Sequence, residues 1–281
     1  MKENSSTLDK FTSQKEEEGF TDYFSDIREV SSGTQKDIVR IDFNTAYQAV
    51  LAEQIVKKIR DDLQKVFKDP KEVSKLTLLD CGSKFSEVLS FSKYFKTVFT
   101  ECRNGVEPNA VFKIPGLDIS LLNSEAQKLE SAIVAESISV VTSLHAVEHF
   151  GLGRYGDTID YFGDQKGLKS FNKILKLGGT LVLSVPFSIH DSPRIEFNSQ
   201  RVYNYKTVEK MLDKSGFKIL DEWFILPLGS LRTSDNKNET PVLKNRAIID
   251  SLDETETTRE SVGVYLTVCE KIKNLDDLPG E

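Results

Sequence analysis

The chain has 281 residues, 38% of them hydrophobic and 9% aromatic, enough to build a core for one large domain or for a domain with an added segment. A formal charge of -7 and a pI near 5.3 argue against nucleic acid and membrane surfaces as partners and leave small molecules or proteins. Two of the three cysteines, Cys81 and Cys269, sit in apolar runs; they suit free thiols in a reducing compartment, and with no secretory signal, presequence or membrane span the expected location is cytoplasmic.

Residues 1–30 hold eight acids and four bases and few aliphatics, so residues 1–35 read as a disordered acidic tail. Residues 36–72 read as a helical segment. In it Tyr47, Leu51, Ile55, Ile59, Leu63 and Val66 recur at three- and four-residue spacing, and Asp69-Pro70 ends the helix. LTLLDCG, 76–82, is a buried strand entering a tight turn, and Lys96 to Glu101 is a second strand ending in an acid. A short run, Leu117-Asp118-Ile119, and a helix over Leu121 to Leu129 follow. Ser137 to Leu144 is a β-branched strand, and the helix face Leu168, Phe171, Ile174 and Leu175 stops at Gly178-Gly179. Thr180 to Pro186, Phe217 to Leu226 and Val262 to Cys269 complete the strands, with a helix over Val208 to Leu212 and a polar insertion at 228–261. Strands alternating with helices make an α/β sheet, mostly parallel, with helices on both faces over about 73–275. Such sheets bind ligands beyond the carboxyl ends of their strands.

Those ends carry Asp80-Cys81-Gly82, Glu101, Asp118 and Leu144-His145. Glu101 follows Asp80 by 21 residues, the spacing at which an acid accepts hydrogen bonds from ribose hydroxyls. The turn Gly82-Ser83-Lys84-Phe85 has one glycine. That is too few for a pyrophosphate, so an adenosyl ligand without phosphates fits better than a dehydrogenase cofactor. His145-Ala146-Val147-Glu148-His149 spells H-x-x-E-H, the inverted zinc-protease pattern. His145 closes a strand, however, and glycines from Gly151 leave little helix to present His149, so no metal is expected.

LTLLDCGSK, the acid of FTECR, SLHAVEHFGLGRYGD and KILKLGGTLVLSVPF, in that order, resemble a class I S-adenosylmethionine-dependent methyltransferase over about 76–270. EHFGLGRYGD with the later RIEFNSQRVY resembles a little-characterised branch whose domain is described only as of unknown function. The resemblance implies a Rossmann-like, doubly wound seven-stranded sheet whose last strand is inserted antiparallel, with S-adenosyl-L-methionine as cofactor. It implies that Asp80 and Gly82 serve the methionine and ribose side, Glu101 the ribose hydroxyls and Asp118 the adenine, with Leu144 and His145 beside the cofactor. This chain departs from the pattern at Lys84, where the family has a second glycine.

Methyl transfer from a sulfonium needs a positioned acceptor and, for a hydroxyl, removal of its proton. His149 is the candidate base, oriented by Glu148. Arg154 and Asp157 on the glycine loop are candidate acceptor contacts, with Glu196, Asn198 and Arg201 expected at the same cleft or bracing its loops. The glycan-associated setting of the branch implies O-methylation of a small molecule, a sugar or other hydroxylated metabolite. A degenerate methyltransferase-like binding protein and a zinc hydrolase are the alternatives.

Overall fold

A computed structural model describes residues 2–29, 43–67, 69–102, 107–189, 193–226, 242–244, 246–251 and 262–277. In chain order its elements are α1 (Lys2–Thr12), β1 (Asp26–Glu29), α2 (Phe43–Val66), α3 (Pro70–Ser74), β2 (Thr77–Cys81), α4 (Phe85–Phe91), β3 (Lys96–Glu101), β4 (Val111–Lys113), β5 (Ile119–Asn123) and β6 (Ile138–Leu144). There follow α5 (Gly163–Ile174), β7 (Leu175–Ser188), β8 (Arg194–Phe197), β9 (Gln200–Val202), α6 (Tyr205–Lys214), β10 (Phe217–Ile225), β11 (Val242–Leu243), α7 (Arg246–Ser251) and β12 (Val262–Lys271).

The main sheet runs β11-β10-β12-β7-β6-β2-β3-β5-β4 among the described residues. Its seven inner strands carry the expected topology. β2, β3, β5, β6 and β7 pair in parallel, and β12 lies antiparallel between β7 and β10. The short β4 and β11 add antiparallel edges. Because Cβ atoms alternate across a strand, neighbouring residues feed opposite layers. Leu78, Val140 and Val182 pack under α2 with Ala52, Ile55 and Val56, whereas Leu79, Val141 and Leu181 pack with Leu168, Phe171 and Met211. Both faces of the sheet are thus covered, which explains why β6 is buried along its whole length.

The side chain of Asp69 caps α3 by accepting the Lys71 N–H at 2.9 Å, with Pro70 at the first helical position, so the Asp-Pro pair ends one helix and starts the next. On α2 the buried stripe is Gln48, Ala52, Ile55 and Val56, while Tyr47 and Val66 are exposed. The expected positions Leu51, Ile59 and Leu63 pack against the same cluster as Ile55, so the expected face holds except at its two ends. The helix expected over Leu121 to Leu129 is instead β5 followed by a 3₁₀ segment, Ala126–Ser131.

The amino-terminal residues correct the expectation of a disordered tail. Phe11 is fully buried between Tyr161 and Phe197, with ring centroids at 5.0 and 4.8 Å. Phe20 stacks on Phe162 at 5.4 Å, and Phe24 packs on Tyr203. Gln165 exchanges two hydrogen bonds with the backbone of Thr21, and the Tyr161 hydroxyl donates to Asp22. Burial of these rings outweighs the charge pattern that suggested disorder. β1 then pairs with β8, and β8 with β9, in a separate three-stranded sheet. Residues 30–35 of that expected tail, and most of the polar insertion at 228–261, lie outside the described residues; β11 and α7 belong to the insertion. Cys81 and Cys269 are buried free thiols. Among the described residues no helix is long and apolar enough to cross a membrane.

Candidate functional site

Strand order reverses around β2, whose neighbours are β3 on one side and β6 on the other, and such a switch point opens a crevice. A cavity of about 550 Å³ lies there, within the range of small-molecule sites.

The turn after β2 forms its floor. Gly82 has φ +78 and donates its N–H to the Thr100 carbonyl at 3.1 Å; a Cβ there would come within 2.9 Å of the Ala146 Cβ. Both the backbone angle and the contact call for glycine. Lys84, where the related pattern has a second glycine, takes φ -64 and ψ 140, a region open to any residue. Its N–H donates to the Glu87 carboxylate at 3.0 Å and so starts α4. Asp80 is fully buried beneath the turn and reaches no cavity wall. It accepts from the Ser83 N–H and hydroxyl at 3.1 and 2.7 Å and from the Thr142 hydroxyl at 2.6 Å. Burial pushes its carboxyl up to about 7, against those three hydrogen bonds. Asp80 therefore braces the turn from behind.

Glu101 and Cys102 line the cavity at the end of β3, and Ser124, Glu125 and Gln127 beyond β5. Asp118 is not among them, which corrects its expected adenine role. It precedes β5, and its carbonyl accepts the Thr97 N–H at the opposite edge of the sheet. Gly116 to Asp118 form the connection of the β4–β5 hairpin, so the usable carboxyl end is Asn123-Ser124-Glu125.

Leu144 and His145 line the cavity where β6 ends. His145 has φ +51, a left-handed conformation uncommon outside glycine, and its N–H is held by the Ser184 carbonyl and hydroxyl at 3.1 and 3.2 Å. Its Nδ1 lies 3.0 Å from Oε1 of the buried Glu148. A carboxylate only accepts, so in the neutral imidazole the proton sits on Nδ1 and Nε2 is the free acceptor. That Nε2 is buried with no hydrogen-bond partner among the described residues. His149, also on the wall, donates from Nδ1 to the Ser199 carbonyl at 2.6 Å, and its Nε2 lies 3.8 Å from the same Glu148 oxygen. One carboxylate thus lies between two imidazoles and hydrogen-bonds the first of them. Val147–His149 is a single 3₁₀ turn, not the α-helix that an H-x-x-E-H zinc motif requires.

The glycine loop after this turn is folded by Asp157, whose carboxylate accepts the N–H groups of Gly151 at 2.7 Å, Gly153 at 3.4 Å and Tyr155 at 3.3 Å. A Cβ on Gly151 would lie 2.1 Å from the Asp160 carbonyl oxygen. Asp157 and Tyr155 reach the cavity, but Arg154 does not; it is exposed, its guanidinium 5.8 Å from the Tyr155 ring. Glu148 lies behind the wall, between its two histidines.

Arg201 takes the second of its two expected roles, bracing the loop and not facing the cleft. Fully buried, it donates to the carbonyls of Phe150 at 2.6 Å and Tyr161 at 2.8 Å, with longer bonds to Glu148 and Asp160. Asp164, also fully buried, lies 3.6 Å from its Nε and accepts the Tyr203 hydroxyl. Burial raises the Asp164 carboxyl while Arg201 holds it down. Together they clamp both ends of the loop that carries the glycine motif, and Phe24 of the amino-terminal segment covers the guanidinium. Glu196 bonds Arg194 and Gln200, and Asn198 is exposed; neither lines the cavity.

Several polar lining groups were absent from the expected site, Ser124 and Glu125 among them. Thr45 and Gln48 come from α2, Glu87 from α4 and Gln127 from the segment after β5. Gln48 was detectable as a polar residue one turn before Ala52 in the stripe that continues through Ile55. Burial raises the Glu87 carboxyl, against the hydrogen bond from Lys84.

A family model described as "Caenorhabditis protein of unknown function, DUF268" matches residues 83–225. No curated protein matches the chain. Among solved structures it is similar to the YcgJ protein of Bacillus subtilis, at 12% identity and TM-score 0.43 over 71% of this chain and 93% of that one. It is also similar to the 1,6-didemethyltoxoflavin-N1-methyltransferase of Burkholderia thailandensis, at 13% identity and TM-score 0.44 over 82% and 91%. A SAM-dependent methyltransferase of Methanosarcina mazei gives 12% identity and TM-score 0.44 over 71% and 93%.

Proposed function

Because the chain belongs to the family described as Caenorhabditis protein of unknown function, DUF268, whose description carries no activity, we propose from the cavity itself that it is an S-adenosylmethionine-dependent O-methyltransferase of a small hydroxylated molecule, such as a sugar. The observation that carries this reading is the pairing of a glycine turn and a strand-end acid, Gly82 and Glu101, with a bare imidazole nitrogen on His145 in one cavity. The first pair suits an adenosyl group, since Gly82 leaves room against Ala146 and Glu101 ends β3 where ribose hydroxyls can donate to it. Ser124, Glu125 and Gln127 would face the base. Bound there, the cofactor would supply an electrophilic methyl group.

His145 is the candidate general base in this reading, in place of the expected His149. Its Nε2 would take the proton of an acceptor hydroxyl, and Glu148 would stabilise the imidazolium that results. His149 donates to Ser199 from Nδ1, and its Nε2, 3.8 Å from the Glu148 carboxylate, is beyond hydrogen-bond reach of it. The buried turn and the clamped loop hold these groups before any ligand arrives, which is the preorganisation that transfer from an activated donor needs.

Chromatographic detection of S-adenosylhomocysteine tests the assignment. The purified chain, given S-adenosylmethionine and a panel of neutral hydroxylated compounds, is expected to release the product only when an acceptor is present. A chain that binds the cofactor yet releases no product with any member would argue for the degenerate, binding-only alternative.

A further inference from the structure

The matched family region begins at residue 83, yet one wall of the cavity comes from before it. Thr45 and Gln48 of α2 line the same space as His145 and Glu87. Gln48 is fully buried, and neither its Oε1 nor its Nε2 has a hydrogen-bond partner among the described residues. A buried carboxamide without partners is costly. It occupies a stripe position that is apolar one turn further on, at Ala52, where an aliphatic side chain would pack without that cost.

Resting on the methyltransferase reading, we propose that Gln48 is the residue that selects the acceptor, and that the acceptor group it reads is a neutral pair of hydroxyls. Three features converge on this class. A carboxamide offers one donor and one acceptor side by side, and hydroxyls, which both donate and accept, satisfy both at once; an ammonium group would leave Nε2 unpaired. Among the described lining residues Glu87, Glu101, Glu125 and Asp157 are carboxyl groups and Lys84 is the one lysine or arginine, so a phosphorylated or carboxylated acceptor meets net like charge. Gln48 shares a cavity wall with Glu87 of α4 and His145, on a helix whose Ala52, Ile55 and Val56 belong to one packed cluster with Leu78 of β2, Val140 of β6 and Val182 of β7. The same cavity carries the His145 base. Gln48 then holds one hydroxyl of a pair while its neighbour is presented for deprotonation.

The test uses the wild type and Gln48→Leu, both saturated with S-adenosylhomocysteine, titrated calorimetrically with methyl glucoside, methyl mannoside, methyl galactoside, myo-inositol and, as the anionic probe, a glucose phosphate. At least one neutral probe is expected to bind the wild type and to bind the variant about tenfold more weakly or worse, the scale of one or two lost hydrogen bonds, while the phosphate binds neither. The variant should bind S-adenosylhomocysteine as the wild type does and unfold at the same or a higher temperature. A merely structural glutamine would lower that temperature. The proposal is overturned if no neutral probe binds, if the variant binds them equally well, if the phosphate binds better, or if S-adenosylhomocysteine affinity itself falls in the variant, which would put Gln48 on the amino-acid end of the cofactor. A wild type that binds no S-adenosylhomocysteine would instead remove the reading on which this one rests.

Discussion

Replacing Arg201 with methionine is expected to lower the unfolding free energy by about 3–5 kcal/mol. The side chain is fully buried beside the equally buried Asp164, so its removal strands a carboxylate that burial already pushes toward the protonated form. The carbonyls of Phe150 and Tyr161 lose their short bonds at the same time, and a buried carbonyl left without a donor is costly. Methionine fills much of the volume, which separates the polar loss from a cavity effect. Urea denaturation measures the difference. Arg201→Met combined with Asp164→Leu should be less destabilised than Arg201→Met alone, because the stranded charge is gone. A single-variant loss under about 1 kcal/mol would mean that the loop does not depend on the clamp. The clamp also reaches the chemistry, since Arg201 touches the carbonyl of Glu148, the residue that orients His145.

His145→Ala is expected to lower methyl transfer by about 10²- to 10⁴-fold, the usual contribution of a positioned acid or base, with S-adenosylhomocysteine affinity little changed. Glu148→Gln keeps the shape of the dyad and removes the charge that stabilises an imidazolium, so its loss should be smaller and in the same step. His149→Ala should cost less than His145→Ala, because the Nδ1 of His149 is committed to Ser199 at 2.6 Å. If His149→Ala proved the more damaging variant, the roles of the two histidines would be reversed. Single-turnover rates with an acceptor from the panel distinguish the two orders.

The parallel sheet was legible in the sequence because LTLLD, KTVFTE and ISVVTSL are short runs rich in aliphatic, aromatic and β-branched residues, set between helical patterns and turns. Gly82 and Glu101 followed from strand ends. Asp118 misled because β4 is three exposed residues, too short to show the hairpin that moves the carboxyl end of β5 to Ser124. The amino-terminal segment misled because its charge was counted and its rings were not; Phe11, Phe20 and Phe24 carry its docking. The Arg201–Asp164 pair joins residues 37 apart in sequence, and no periodicity records a contact of that kind. RIEFNSQRVY was recognisable as a motif, but its work as a loop clamp appears only in three dimensions. Gln48 showed the opposite pattern, a polar residue inside an apolar stripe, and such breaks in binary pattern tend to fall at functional positions.

Calorimetric titration of S-adenosylhomocysteine into the purified chain, with Glu101→Ala alongside, tests the central claim most directly. Saturable binding by the wild type, weakened about tenfold or more in the variant through loss of charge-assisted bonds to ribose hydroxyls, is the predicted result. No binding by a folded wild type, or equal binding by the two proteins, would contradict the assignment of this cavity to an adenosyl cofactor held at the end of β3.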